Sequence, residues 1–278
     1  MVTERLISDH YRLIEQLPAI PPRVRWRARD EWSGRLVTAA RVAMPGLAGS
    51  EILAARYRLA REVRAMEGRK HRHTVWLIDV VLDADDLWVI SEPGPVTPLA
   101  EALAERGRVE PEQAARWGRD IADGLAAAHG AGVPHRDLHS GVVFLTEDGT
   151  VVVDGFATTV ISRRALRAGT PVHVAPEIAF GTDEPSPAAD VFALGAVLYR
   201  AVEGHGPFPE DGDRATLLQT SAAGVVIVPR RTGPLTGLLM QMLHPDPTCR
   251  PSAGAVRDLL ATASPGELPT VSTSGSHP

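Results

Sequence analysis

The sequence predicts an α+β protein that is rich in strands in its first third and mainly helical after that. Two patterns support this division. Between residues 11 and 92, short runs alternate apolar and polar residues, which is typical of strands with one buried face. From Pro111 to about Gly130, apolar residues recur at helical spacing instead, and proline is favoured in the first turn of a helix.

Composition and charge are those of an ordinary globular protein. The 278 residues are 44% hydrophobic and 23% charged, which argues against a disordered chain. The formal net charge of −5 provides no basic surface for general binding of nucleic acid. The single cysteine, Cys249, cannot form an internal disulfide, and we expect it to be buried. Because no apolar run approaches the roughly 20 residues that span a bilayer, we expect a cytoplasmic location.

The first strands enclose a proline-rich run at residues 17–23. It contains three prolines and no glycine, and prolines have no backbone N–H to donate. The segment Arg23–Arg29 then alternates strictly and predicts a strand, with its apolar residues on one face and four arginines on the other. These arginines could bind an acidic partner, but we interpret them as a solvated face.

A single helix is predicted between the strands, from about Ser50 to Gly68. An apolar stripe runs along it at the spacing i, i+4, i+7, formed by Leu59, Val63 and Met66. Glu62 lies on the same helix among several arginines, and we interpret it as a surface ion-pair residue. Two further strands are predicted at 74–81 and 87–92.

Short motifs in the second half of the chain point to a particular chemistry. His135-Arg136-Asp137 is followed seventeen residues later by Asp154-Gly155-Phe156. Ala175-Pro176-Glu177, Asp190 within an apolar helix, and Arg250 come after them. In this order, the motifs resemble those of the protein kinase family.

The resemblance implies the bilobal protein kinase-like fold. A small β-rich N-lobe with one helix is expected at residues 1–94, and a larger, mainly helical C-lobe at residues 95–262. Residues 263–278 are small, polar and proline-rich, so we expect a flexible Pro/Ser/Thr-rich tail there.

The same resemblance implies structural roles for four residues. Asp190 is expected to accept hydrogen bonds from the backbone of the catalytic loop, the segment that carries His135-Arg136-Asp137. Glu177 and Arg250 are expected to form an ion pair, and His135 to pack into the apolar column that joins the lobes.

Most residues that transfer phosphate in this family are missing. The proline-rich run at residues 17–23 stands where the family has a glycine-rich loop over the ATP phosphates. The family's lysine falls on Ala40, or on Arg41 after a slip of one residue, and Val142 stands where a metal-ligating asparagine is expected. Asp137 and Asp154 remain, and we interpret them as vestigial. Losing two preorganised contacts of about 3 kcal/mol each would slow the reaction roughly 10⁴-fold. The sequence therefore predicts a pseudokinase that is not an enzyme and uses no cofactor or metal.

The main functional hypothesis is a silent scaffold controlled by phosphorylation. The motifs resemble those of actinobacterial Ser/Thr kinases, and most closely the cytoplasmic pseudokinase domain attached to mycobacterial MviN-type lipid II flippases. The resemblance implies an active Ser/Thr kinase that modifies Thr270, or secondarily Thr273, and a forkhead-associated (FHA) domain protein that binds the phosphothreonine. It also implies fusion to a membrane protein and regulation of peptidoglycan precursor synthesis and export.

The alternative hypothesis is a residual ATP-binding switch or weak Ser/Thr kinase. In this case Asp137 would act as the base, Asp154 as a metal ligand and Arg41 as a substitute cation. Stabilisation by ATP and Mg²⁺ distinguishes the two hypotheses.

Overall fold

The computed structural model describes most of the chain. The described residues are 5–18, 24–42, 49–84, 86–94, 97–158, 174–179, 186–209, 216, 219–220 and 223–262. They form the bilobal α+β fold that the sequence predicts, with a curled sheet in the N-lobe and helices in the C-lobe.

The N-lobe is an antiparallel sheet with one helix. Its elements are β1 (Leu6–Ile7), β2 (Tyr11–Gln16), β3 (Val24–Asp30), β4 (Leu36–Val42), α1 (Gly49–Met66), β5 (Leu77–Asp83) and β6 (Asp86–Ser91). The sheet order is β1-β2-β3-β4-β6-β5. The helix α1 buries the predicted stripe of Leu59, Val63 and Met66.

The turn between β3 and β4 fixes how these two strands pair. Asp30 accepts hydrogen bonds from the Trp32 amide at 2.9 Å and from the Ser33 amide at 3.3 Å. Burial opposes the effect, but the hydrogen bonds from Ser33 and Trp32 lower the pKa of Asp30 to about 2. An ionised acceptor therefore holds the turn, and with it the register that places Arg25 opposite Ala40.

The described C-lobe is built around two buried helices. Its elements are β7 (Thr97–Pro98), α2 (Leu99–Arg106), α3 (Pro111–Gly130), β8 (Val143–Leu145), β9 (Val151–Val153), α4 (Pro176–Ala179), α5 (Pro187–Glu203), α6 (Thr236–Met242) and α7 (Ala253–Thr262), with 3-10 turns at Gly233–Leu235 and Pro247–Cys249. The helix α3 packs against α5 and α7. Ser186 caps α5 by accepting from the Ala189 amide, and Gly204 ends it with a left-handed φ of 83°.

The lobes are joined by backbone contacts as well as by side-chain packing. The Val153 amide donates to the His73 carbonyl at 2.9 Å, and the Val75 amide donates to the Val153 carbonyl at 3.0 Å. A Cβ atom at Gly124 of α3 would lie 2.7 Å from the same His73 carbonyl, so only glycine allows this close approach. The segment before β5 is thus held directly on α3.

One continuous core runs through both lobes. It contains Met66 of α1, Trp117 and Ile121 of α3, and Phe156 after β9. A separate cluster, which includes Tyr11, Ala28 and Trp88, lies within the N-lobe sheet. Because apolar side chains pack continuously from α1 to the catalytic loop, a displacement of α1 is transmitted to the loop.

One expectation about the surface is wrong. Cys249 is exposed rather than buried, because it ends the 3-10 turn that precedes Arg250. Among the helices of the described segments, none combines the length and the apolar character needed to cross a membrane.

Candidate active site

The loop between α3 and β8 is held by one buried carboxylate. Asp190, in the first turn of α5, accepts hydrogen bonds from the amides of His135 at 2.7 Å and Arg136 at 2.8 Å. The ring Nε2 of His129 lies 2.8 Å from the same carboxylate. These contacts hold Arg136 at a φ of 73°, an unfavourable conformation for a residue with a side chain. The hydrogen bonds to Asp190 therefore hold the backbone that carries Asp137 in place.

His135 and Phe156 continue the apolar column between the lobes. Both side chains are fully buried, and their rings meet edge-on with centroids 4.7 Å apart. The Nε2 atom of His135 lies 2.9 Å from the Asp154 carbonyl oxygen. Gly155 adopts a φ of 98°, a conformation open to glycine but not to phenylalanine. The order Asp-Gly-Phe thus still places an aromatic ring against His135.

The strand β3 brings a cation into the cleft between the lobes. Arg25 is only 9% exposed, and its Nη1 atom lies 3.2 Å from Oδ2 of Asp154. Its guanidinium carbon lies 5.2 Å from the centroid of the Phe144 ring, within cation–π distance. The prediction of a solvated arginine face is therefore wrong at this position, although Arg27 on the same strand does pair at the surface with Glu15.

Strand register explains why Arg25 turns inward. Arg25 is the direct partner of Ala40 on β4, and directly opposite residues of antiparallel strands project to the same face. Ala40 is the position where the family resemblance expects a lysine. The small alanine side chain leaves room, and the arginine of the neighbouring strand occupies it.

Arg41 does not serve as the substitute cation. Its side chain is 46% exposed, and its guanidinium lies 3.6 Å from the carboxylate of Asp86. Successive residues of a strand point to opposite faces, so Arg41 faces away from the cleft that Ala40 lines. The expectation that placed a cation on Arg41 is wrong.

Arg25 and Asp154 fill the inner part of the cleft. A cavity of about 10 Å³ remains there, lined among others by Arg25, Ala40, Asp154 and Thr158. This is room for about one water molecule. A phosphate group entering this cavity must displace the contact between Arg25 and Asp154.

Glu62 is buried, so the prediction of a surface ion-pair residue is wrong. It is 4% exposed, and its carboxylate accepts hydrogen bonds from both terminal nitrogens of Arg136, one of them at 2.8 Å. The face of α1 that carries Glu62 also carries Leu59 and Met66 and is buried. Glu62 therefore ties the N-lobe helix to the catalytic loop.

Glu177 and Arg250 form the predicted ion pair, and the contact is bidentate. The Nη1 and Nη2 atoms of Arg250 lie 2.7 and 2.8 Å from the two carboxylate oxygens of Glu177. The Arg250 side chain is fully buried, and it also donates to the carbonyls of Ala188, His244 and Pro245. This pair joins α4 to the segment before α7.

The metal-binding capacity of the site is small. Val142 is fully buried and its side chain has no ligand atom. Within the described ranges, no group of three or more His, Cys, Asp or Glu side chains is arranged to hold a metal. The residues fit one Mg²⁺ that arrives with a nucleotide, since such an ion needs only one or two protein carboxylates besides phosphates and water, and Asp154 provides one.

Several sequence predictions concern residues outside the described ranges. They are the flexible tail at residues 263–278, the phosphorylation sites Thr270 and Thr273 within it, and most of the proline-rich run, residues 19–23.

The bilobal fold, with Asp137 on the loop between α3 and β8 and Asp154 directly after β9, has the features of a protein kinase domain. In agreement, the chain matches the family described as "Protein kinase domain" over residues 37–260. The chain therefore belongs to the protein kinase family.

Individual relatives support this assignment. The chain is 36% identical to the serine/threonine-protein kinase PkaB of Streptomyces coelicolor over 207 residues, which cover 69% of this chain and 49% of that protein. It is 33% identical to the serine/threonine-protein kinase AfsK of Streptomyces griseus over 218 residues, covering 76% of this chain and 26% of that protein. It is 29% identical to CBL-interacting protein kinase 24 of Oryza sativa subsp. japonica over 229 residues, covering 80% of this chain and 50% of that protein. The chain thus spans between about a quarter and a half of the length of these relatives.

The prediction that the chain is not an enzyme is contradicted by these comparisons. PkaB and AfsK are named as Ser/Thr protein kinases, which points to an enzyme rather than a pseudokinase. One ground for that prediction was the missing lysine at Ala40. Arg25 reaches the cleft from the adjacent strand instead, a relationship that exists only once the strands are paired.

Proposed function

We propose that the chain is a Ser/Thr protein kinase domain of low activity, which transfers the terminal phosphoryl group of ATP to a serine or threonine hydroxyl of a protein. One observation carries the proposal. Asp137 lies on a loop whose backbone is held by the buried carboxylate of Asp190, through the amides of His135 and Arg136. Such positioning is the main contribution of a protein to phosphoryl transfer. The names of the relatives support the same class of reaction.

Each residue of the site has a separate role in the proposed reaction. The substrate hydroxyl oxygen bonds to the terminal phosphorus while the phosphorus–oxygen bond to ADP breaks, and the hydroxyl proton passes to Asp137. Asp154 would hold Mg²⁺, which neutralises phosphate charge when bound. His135 and Phe156 keep the backbone around Asp154 in place by packing against each other.

Val142 lowers the expected rate of phosphoryl transfer, because it stands where a metal-ligating asparagine is expected. A valine cannot supply the second metal contact, and one lost preorganised electrostatic contact slows an enzyme by about 10²- to 10³-fold. We therefore expect turnover well below that of a kinase with the complete set of residues.

Transfer of labelled phosphate from ATP to a serine- and threonine-containing protein substrate tests the proposal. The wild-type domain should transfer label slowly, and Asp137→Asn should reduce the rate by about 10²- to 10⁴-fold because the proton acceptor is lost. Melting temperatures of the two proteins should agree, which shows that the fold is intact. Equal transfer by the two proteins, or none by either, contradicts the proposal. Nucleotide binding without transfer would instead indicate the ATP-binding switch.

The proposal extends to the C-terminal segment, where its support is the sequence alone. Thr270 lies in the run Leu268-Pro269-Thr270-Val271, followed by Thr273. An active Ser/Thr kinase phosphorylates Thr270, and the added charge of about −2 recruits an FHA-domain protein. The resemblance to flippase-linked domains extends this role to regulation of peptidoglycan precursor export. Phosphate on Thr270 by mass spectrometry, with FHA binding lost in Thr270→Ala, is expected, and an unmodified segment contradicts it.

A further inference from the structure

Arg25 is a buried cation in the nucleotide cleft that the family pattern does not contain. It lies on β3, whereas the lysine that the resemblance leads one to expect would lie on β4 at Ala40. Its Nη1 atom is 3.2 Å from the Asp154 carboxylate, and the planar group lies over Phe144. Arg25, Ala40 and Asp154 line the same small cavity.

We propose that Arg25 is the phosphate-binding cation of this domain, contacting the nucleotide phosphates in place of the missing lysine. The inference rests on the proposed binding of ATP. It adds a residue, from a different strand, that recognises the triphosphate.

Geometry and chemistry both suit Arg25 to this role. A guanidinium stays charged at every accessible pH and offers its donors as a planar fork that matches a phosphate group. The guanidinium of Arg25 lies over the Phe144 ring, and the backbone of Arg25 pairs with Ala40 between β3 and β4. Both contacts limit the directions in which the guanidinium can point. The group is therefore oriented toward the inner cleft before any ligand arrives.

The contact with Asp154 shows that the Arg25 guanidinium accepts an anionic partner in the cleft. A carboxylate oxygen is an anionic acceptor, like a phosphate oxygen. The distance of 3.2 Å exceeds the 2.7–2.9 Å that is typical of strong charge-assisted hydrogen bonds. A phosphate can therefore replace the carboxylate as the partner of Arg25, which leaves the Asp154 carboxylate available to Mg²⁺.

Other arginines of the described segments near the cleft are placed differently. Arg136 is held by Glu62, with both side chains buried. Arg41 lies beside Ala40 in the sequence but projects to the outer face, next to Asp86. Arg41 is therefore a matched control of the same residue type on an adjacent strand.

Binding of ATP and of adenosine to four proteins tests the inference. They are the wild type, Arg25→Met, Arg41→Met and the double variant Arg25→Met with Ala40→Lys, each titrated by calorimetry with Mg²⁺ present. Methionine keeps the apolar stem over Phe144 and removes only the charge. Arg25→Met should weaken ATP binding by about 10- to 100-fold, the range expected for one charged hydrogen bond. Adenosine binding should be unchanged, because adenosine has no phosphate.

The controls separate the role of Arg25 from a general disturbance. Arg41→Met should bind ATP like the wild type, and the lysine at position 40 should restore much of the affinity that Arg25→Met loses. Melting temperatures without nucleotide show whether each variant is folded. If Arg25→Met does not fold, Arg25→Gln, which keeps a donor toward Asp154, replaces it.

The contrary outcomes are distinct. ATP binding by Arg25→Met that equals or exceeds wild-type binding overturns the role of Arg25 and leaves the proposed kinase activity intact. An equal loss of adenosine and ATP affinity also overturns it, because the effect then concerns the whole cleft. A folded wild-type protein that binds neither ligand overturns both this inference and the proposed function.

Discussion

Replacing Arg250 by alanine is expected to lower the free energy of unfolding by about 3–5 kcal/mol. The Arg250 side chain is fully buried and grips both carboxylate oxygens of Glu177. Its removal takes the paired guanidinium away from a buried carboxylate, and three backbone carbonyls lose a donor. Urea unfolding followed by circular dichroism measures the change.

Two variants sharpen this prediction. Arg250→Lys should recover only part of the lost stability, because an ammonium group cannot reproduce the planar fork between Glu177 and the carbonyls. Arg257→Ala is the matched control, since Arg257 on α7 pairs with Asp123 and Asp258 at the surface. An exposed pair of this kind contributes about 0–1 kcal/mol. If Arg250→Ala and Arg257→Ala cost the same, the buried pair is not a structural anchor.

The fold could be predicted because its signals are local. The helix α3 begins with a proline, and the stripe on α1 repeats at helical spacing, so each element is visible in a short window of sequence. Asp137, Asp154 and Asp190 also follow one another along the chain in the order of the family's motifs, which indicates the kinase fold. Cys249 was misplaced because the turn that exposes it depends on the buried contacts of the next residue, Arg250.

The site was harder to predict because its contacts join distant segments. Arg25 and Ala40 are fifteen positions apart in the sequence and become neighbours only through the β3–β4 register. Charge alternation along β3 suggested a solvated face, since nothing in that strand shows that its partner has a small residue opposite Arg25. Glu62 was misjudged for a similar reason. Its partner, Arg136, lies in the other lobe, whereas the neighbouring arginines on α1 suggested a surface pair.

Glu62→Ala is expected to cost about 3–5 kcal/mol, because it leaves the guanidinium of Arg136 buried without its counter-charge. The two side chains are 5% and 7% exposed, so water screens little of the interaction. Arg64→Ala, an exposed position on the same helix, should change stability by no more than about 0.5 kcal/mol. Urea unfolding of the two variants gives the comparison, and similar losses would show that Arg136 readily finds another partner.

The double variant Glu62→Met with Arg136→Leu separates stability from the coupling of the lobes. Replacing a buried ion pair by apolar residues of similar volume is often neutral or stabilising, so this protein should be far more stable than Glu62→Ala. Its α1 should nevertheless protect its backbone amides less from hydrogen exchange, because the charged contact that ties the helix to the catalytic loop is gone. Wild-type exchange in α1 of the double variant would mean that the apolar contacts of Leu59, Val63 and Met66 suffice to hold the helix. In that case the pair serves to orient Arg136, whose φ of 73° must still be held by Asp190.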